Sequence, residues 1–73
     1  MPGNETQLTI EQALNLALEH HHAGRLAEAE VIYRKILFHQ PDHGDSLHLL
    51  GLIAHQMGKN QLAEELIGRA IAI

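Results

Sequence analysis

Apolar residues recur every three or four positions along most of the chain, which is the spacing of one face of an α-helix. Four such segments predict helices at about 10–22, 26–39, 44–57 and 61–72. None of these segments shows the period-two alternation of a half-buried strand. The pattern therefore predicts an all-α fold.

Polar residues mark where two of these helices begin. Thr9 is followed three residues later by Gln12, which matches a capping box and predicts a helix start at Ile10. Asn60 is interpreted as the N-cap of the fourth helix, since its side chain can accept a bond from an unpaired backbone N–H. Residues 1–9 carry helix-breaking residues and are interpreted as a flexible lead-in.

Glycine and proline mark the helix ends. Gly24 and Gly58 follow the first and third apolar segments, and Pro41 stops the second because proline cannot continue the backbone ladder. The connections that result are short, so each pair of neighbouring helices is expected to be antiparallel.

The chain repeats itself at a spacing of about 34 residues, a period typical of helix–turn–helix repeats. Small residues recur at equivalent places, namely Ala17 with Gly51 and Ala29 with Ala63. Two helices approach to about 8 Å only where facing positions carry little side chain. Other equivalent pairs are Leu16 and Leu50, Leu18 and Leu52, His21 and His55, Gly24 and Gly58, and Glu30 and Glu64.

This repeat resembles the tetratricopeptide repeat (TPR) family. The first unit matches the family pattern at Ala13, Leu16, Ala17, Gly24, Ala29, Tyr33, Ile36 and Pro41. The second unit matches it at Leu47, Leu50, Gly51, Ala54, Gly58, Ala63, Ile67 and Ala70. The resemblance implies two stacked antiparallel hairpins of an α-solenoid, with repeat 1 at 10–43 and a C-terminally truncated repeat 2 at 44–73.

Two family positions differ in this chain. The early aromatic of the first helix is replaced by Ala13 or Leu47, and the later tyrosine by His20 or Ala54. The segment "LHLLGLIAHQMGKNQLAEELIGRAIAI" is also similar to bacterial TPR arrays that precede O-linked N-acetylglucosaminyltransferase-like domains. The alternative interpretation is therefore the N-terminal TPR portion of a larger bacterial glycosyltransferase, serving substrate recognition or oligomerisation.

Composition excludes several classes of function. The net charge is −4 with five basic residues, and Tyr33 and Phe38 are the aromatic residues, so a nucleic-acid surface is not expected. There is no cysteine, which excludes disulfides and thiolate metal sites. No signal peptide and no membrane-length apolar run is found, so a cytoplasmic protein is expected. No catalytic or cofactor-binding motif occurs, which predicts a chain that is not an enzyme and holds no cofactor.

Seven histidines raise the question of a metal site. His20, His21 and His22 point about 100° apart around a helix, so they cannot share one ion. His48 and His55 lie roughly 10.5 Å apart along one helix, which is also too far. Three interpretations stay open: histidines that line a partner-binding groove along the first helices or enter the core, histidines that donate hydrogen bonds to a bound peptide, and a metal site begun by His21 and His55. No metal is predicted.

The resemblance implies that the first helix of each hairpin lines a concave groove. A partner protein or peptide is then expected to bind there, although the positions of a carboxylate-clamping TPR protein hold Leu14, Leu18 and His48 here. The groove candidates are Glu11, Leu14, Leu18, His21, Asp45, His48, Leu52, His55 and Gln56.

The fourth predicted helix is apolar on more than one side. Its neighbouring helix can cover only part of that surface, and a large exposed apolar patch is unusual for a monomer. The expectation is a homodimer formed through the C-terminal repeat. The self-association candidates are Leu66, Ile67, Ala70, Ile71 and Ile73.

Overall fold

A computed structural model describes residues 8–72, except for the side chain of Ala72. The chain forms α1 (Ile10–His22), α2 (Leu26–His39), α3 (Gly44–Gln56) and α4 (Asn60–Ala72). No strand occurs within the described residues. The predicted all-α class is confirmed, and so are the four helices. Most of the predicted lead-in lies outside the described residues.

The predicted capping box at the start of α1 is present. The Gln12 backbone N–H donates to Oγ1 of Thr9 at 3.0 Å, and the Thr9 backbone N–H donates to Oε1 of Gln12 at 3.0 Å. Two of the backbone donors that a helix start leaves without a partner are thus satisfied. This local exchange fixes the direction in which the chain enters α1.

The start of α4 differs from the prediction by one residue. The Ala63 N–H bonds to the carbonyl of Lys59 at 2.9 Å, so Lys59 already accepts an intrahelical bond. Asn60 is the first helical residue and not the N-cap, and that prediction was wrong. The chain turns into the helix directly after Gly58, which leaves Lys59 at the cap position.

The two hairpin turns have the same geometry. Gly24 and Gly58 adopt φ angles of 83° and 80°, in the left-handed region that favours glycine. Arg25 N–H bonds to the His20 carbonyl at 2.9 Å, and Lys59 N–H bonds to the Ala54 carbonyl at 2.7 Å. These bonds close a Schellman motif at the end of α1 and at the end of α3.

The helices pack in chain order, α1 on α2, α2 on α3 and α3 on α4. Arg69 near the end of α4 donates to the carbonyl of Pro41, just before α3, at 3.1 Å. The end of α4 therefore lies beside the start of α3, as an antiparallel hairpin requires. The buried core residues are Ala17, Ala29, Tyr33, Ile36, Leu47, Leu50, Ile53, Ala54, Ala63 and Leu66.

Small residues allow the close approach of paired helices, as predicted. A Cβ atom built on Gly51 would lie 2.7 Å from Cγ1 of Ile67 and 3.5 Å from the Ala63 carbonyl oxygen. Ala17 and Ala29 are fully buried in the other hairpin. In the part of the chain described, no helix has the length and hydrophobicity of a membrane span.

Candidate functional site

A side-chain hydrogen bond joins α1 to α3. His21 Nε2 lies 3.0 Å from Oε1 of Gln56, and both residues belong to the last turns of their helices. An amide oxygen only accepts, so Nε2 of His21 carries the hydrogen in this arrangement. The C-terminal ends of α1 and α3 therefore lie side by side.

The other side of His21 contacts the core. Its ring meets the ring of Tyr33 edge-on, with centroids 6.5 Å apart and an angle of 80°. Nδ1 of His21 is buried without a hydrogen-bond partner among residues 8–72, and so is the hydroxyl of Tyr33. Burial raises the pKa of the Tyr33 phenol above its ordinary value. His21 thus lies between Gln56 of α3 and an incompletely satisfied polar spot in the core.

The remaining groove candidates differ in exposure. Glu11, Asp45, His48, His55 and Gln56 are exposed, Leu14, Leu18 and His21 are half-buried, and Leu52 is 38% exposed. Among these candidates, all of them in the described range, the structure joins only His21 and Gln56 by a hydrogen bond.

The 34-residue repeat pairs groove candidates of α1 with groove candidates of α3. The 34-residue offset places Glu11 with Asp45 near the helix starts and Leu18 with Leu52 farther along. His21 and His55 form a third pair near the helix ends. Along each helix the paired candidates therefore run from acidic to apolar to imidazole.

Two other histidines have local structural roles. His20 is half-buried, and its Nδ1 accepts from Nε of Arg25 at 2.9 Å. Nδ1 of His43 lies 3.2 Å from the backbone nitrogen and 2.8 Å from Oγ of Ser46, so His43 caps α3. Sequence reasoning missed this cap, although a polar side chain directly before the third helix was the available signal. No cluster of three or more possible metal ligands is found among the described residues.

The self-association candidates are not equally placed. Leu66 is only 4% exposed and belongs to the core, so its side chain is already covered within the chain. Ile67 and Ala70 are half-buried, whereas Ile71 is 80% exposed. Ile73 lies outside the described residues. The exposed apolar surface on α4 thus centres on Ile67 and Ile71.

An open cleft of about 670 Å³ runs along this surface between α3 and α4. Its walls carry Leu52, His55, Asn60, Ala63, Glu64, Ile67, Gly68 and Ile71. Two groove candidates, Leu52 and His55, therefore face α4 as well as the solvent. The cleft is mainly apolar, with one carboxylate on its wall.

A second open cleft, of about 410 Å³, lies at the opposite end of the molecule. It is lined by Leu8, Thr9, Ile10, Ala13, Leu16, Ile32, Lys35, Ile36 and His39. Sequence reasoning did not single out this surface. The repeat aligns Leu16 with Leu50, which is buried, whereas Leu16 is 37% exposed, and the sequence carries no signal of that difference.

One ion pair joins the two hairpins. Oε2 of Glu30 on α2 lies 2.9 Å from Nη2 of Arg34 and 3.6 Å from Nζ of Lys59. Arg34 is on the same helix, but Lys59 comes from the connection between α3 and α4. The contact between Glu30 and Lys59 therefore belongs to the interface between the hairpins.

A search for relatives finds none: no family model, curated protein or solved structure matches the chain.

Proposed function

We propose that this chain is a protein-interaction module, a TPR-like stack of two helical hairpins that binds a partner segment across α1 and α3. The observation that carries the proposal is the hydrogen bond between His21 and Gln56, because it aligns equivalent helices of the two hairpins. Aligned neighbouring helices present matching residues as rows, and a partner segment that crosses the rows meets each chemical type in turn.

The rows suggest the chemistry of the partner. Leu18 and Leu52 offer apolar contact at the middle of the surface, where they are half-buried and 38% exposed, respectively. Glu11 and Asp45 are exposed carboxylates that lie about two helical turns before Leu18 and Leu52 on the same helices. A segment with an apolar anchor followed by lysine or arginine fits this order best, since opposite charges steer the encounter and fix the register.

A displayed library of random peptides, selected on the immobilised chain, tests this proposal. Enriched peptides should combine an apolar anchor with a basic residue, and fluorescence anisotropy then gives their affinity. The double variant Leu18→Ala with His48→Ala should weaken binding by about tenfold or more, as loss of central contact residues does. Thermal unfolding confirms that the variant is folded.

The matched control changes two exposed positions of α2. Glu28→Ala with Val31→Ala alters a charge and an apolar side chain that is 52% exposed, away from α1 and α3. Its affinity should equal that of the unchanged chain. An equal loss in both double variants, or a selection that enriches no binding peptide, would refute the proposal.

A further inference from the structure

The two open clefts lie at opposite ends of the helical stack. We call the cleft of about 410 Å³ the leading face, formed by Ala13, Leu16 and Ile32 of the first hairpin. We call the cleft of about 670 Å³ the trailing face, formed by Leu52, Ile67 and Ile71 of the second hairpin. No described helix packs over either face as α3 packs on α2.

The repeat shows what covers a surface like the leading face. Shifted by 34 residues, Ala13, Leu16 and Ile32 become Leu47, Leu50 and Leu66, which are 1%, 2% and 4% exposed. Leu50 and Leu66 line a cleft together with Leu37 and Phe38 of α2. The second hairpin therefore buries its leading side against the first hairpin.

The trailing face has an equivalent in the first hairpin. Shifted back by 34 residues, Leu52, Ile67 and Ile71 become Leu18, Tyr33 and Leu37. Tyr33 is fully buried, and Leu37 is partly buried against the core. The contact between α2 and α3 is thus formed by the trailing side of the first hairpin and the leading side of the second. The leading side of the first hairpin and the trailing side of the second are not covered in this way by any described helix.

Charges match in the same way. Lys59 and Glu30 pair across the contact between the hairpins at 3.6 Å. Their equivalents are Arg25 and Glu64, both exposed and again of opposite sign. Glu64 lies on the wall of the trailing cleft. If the leading face of one copy packs on the trailing face of another as the second hairpin packs on the first, Arg25 of the one copy lies beside Glu64 of the other.

We propose that copies of this chain associate head to tail, with the leading face of one copy on the trailing face of the next. The contact repeats the one between α2 and α3, with Glu64 beside Arg25 of the neighbouring copy. Such a contact joins two different surfaces, so it does not close after two copies and gives a series of oligomers. It differs from the two-fold dimer that the sequence suggests, which would leave the leading face uncovered.

The internal contact is better filled than the proposed one. Leu47 is replaced by the smaller Ala13 on the leading face, and the two copies are not joined by a connecting loop. Association should therefore be weak and depend on concentration. The association tests below change Ile71, Leu16, Arg25 and Glu64, and the peptide-binding test changes none of these residues. The two proposals can therefore fail separately.

Sedimentation velocity over a wide range of protein concentrations tests the inference. The unchanged chain should grow beyond a dimer as the concentration rises. Ile71→Glu alters only the trailing face and Leu16→Glu only the leading face, so each variant alone should be monomeric. Mixed together, they should form a dimer and nothing larger, because one intact face of each kind remains.

The charge pair gives a second test that leaves the apolar faces unchanged. Arg25→Glu alone and Glu64→Arg alone should each weaken association, and the chain with both substitutions should recover it. Val31→Glu on α2 is the matched control and should associate like the unchanged chain. A monomeric unchanged chain, self-association of Leu16→Glu at full strength, or no recovery in the double charge variant would overturn the proposal.

Discussion

The two hairpins have nearly the same pattern but differ in what covers them. Leu16 and Leu50 are equivalent leucines on α1 and α3, yet Leu16 is 37% exposed and Leu50 only 2%. The turns that follow these helices are alike, with Gly24 and Gly58 at φ angles of 83° and 80°. Local structure therefore follows from the repeat, whereas burial follows from the neighbour that each hairpin has.

The hairpins also divide volume differently between their paired helices. The first has Ala17 and Tyr33 where the second has Gly51 and Ile67. At Gly51 the absent Cβ leaves room for the Ile67 side chain, which would lie 2.7 Å from it. A smaller residue on one helix thus accompanies a β-branched residue on the other. A residue of one hairpin therefore cannot be exchanged for its equivalent in the other unless the facing residue is exchanged as well.

Alanine at the two equivalent leucines should give the largest difference. Leu50→Ala removes side-chain volume from the core and should lower the free energy of unfolding by about 2–5 kcal/mol. Leu16→Ala should cost less than half as much, because that side chain is already 37% exposed. Urea denaturation at low protein concentration, where head-to-tail contact is absent, measures both. Equal losses would mean that α2 does not protect Leu50 in the way described.

Enlarging Gly51 should have the next largest effect. Gly51→Leu forces a side chain into the space that Ile67 occupies and should destabilise the chain by about 1–3 kcal/mol. Gly68 on α4 is the control, since a Cβ there would meet nothing within 4 Å. Gly68→Ala should stabilise by about 0.5–1 kcal/mol through helix propensity. If thermal unfolding gave Gly51→Leu and Gly68→Ala the same stability, the close approach of α3 and α4 would be contradicted.

Sequence predicted the local features of this fold because their causes are local. The capping box at Thr9 and the glycine turns depend on residues within one helical turn, and each was predicted. The cap at His43 was missed because histidine is not among the favoured capping residues, and its role depends on the position of Ser46. The burial of Leu66 and the exposure of Leu16 depend on which hairpin lies beside which. The pattern of one helix does not contain that information.

Sequence could place the candidate residues on helices but could not show which of them meet. The helix bounds and the 34-residue repeat put Glu11, Leu18 and His21 on α1 and their equivalents on α3, whereas their choice as groove residues came from the TPR resemblance. The bond between His21 and Gln56 could not be predicted, because it joins residues 35 positions apart across two helices. It requires the register between α1 and α3, which is set by how both pack on α2.

The two side-chain caps should differ in strength. Thr9 exchanges two hydrogen bonds with Gln12, whereas His43 caps α3 through Nδ1 alone. Thr9→Ala should cost more than His43→Ala, and both losses should fall within about 0.5–2 kcal/mol. His43→Asp should recover stability or exceed the original, since a carboxylate also suits the positive end of the helix dipole. Thermal unfolding of the three variants measures this, and a further loss in His43→Asp would show that the imidazole itself is needed.

Tyr33 gives the smallest effect and a distinct pH signature. Its equivalent in the second hairpin is Ile67, which has no hydroxyl, and the Tyr33 hydroxyl is buried without a partner among the described residues. Tyr33→Phe removes an unsatisfied polar group and should stabilise the chain by up to about 1 kcal/mol at neutral pH.

The sign of the pH dependence follows from burial, which raises the pKa of Tyr33 in the folded chain. The unfolded chain releases the phenolic proton near its ordinary value of about 10, before the folded chain does. Above that pH the unfolded state binds fewer protons, so stability is fully present below about pH 10 and falls as pH rises further. Phenylalanine lacks the proton, so Tyr33→Phe should show a smaller fall. Urea denaturation between neutral and alkaline pH measures the two slopes. Parallel slopes would mean that the Tyr33 hydroxyl reaches solvent in the folded state.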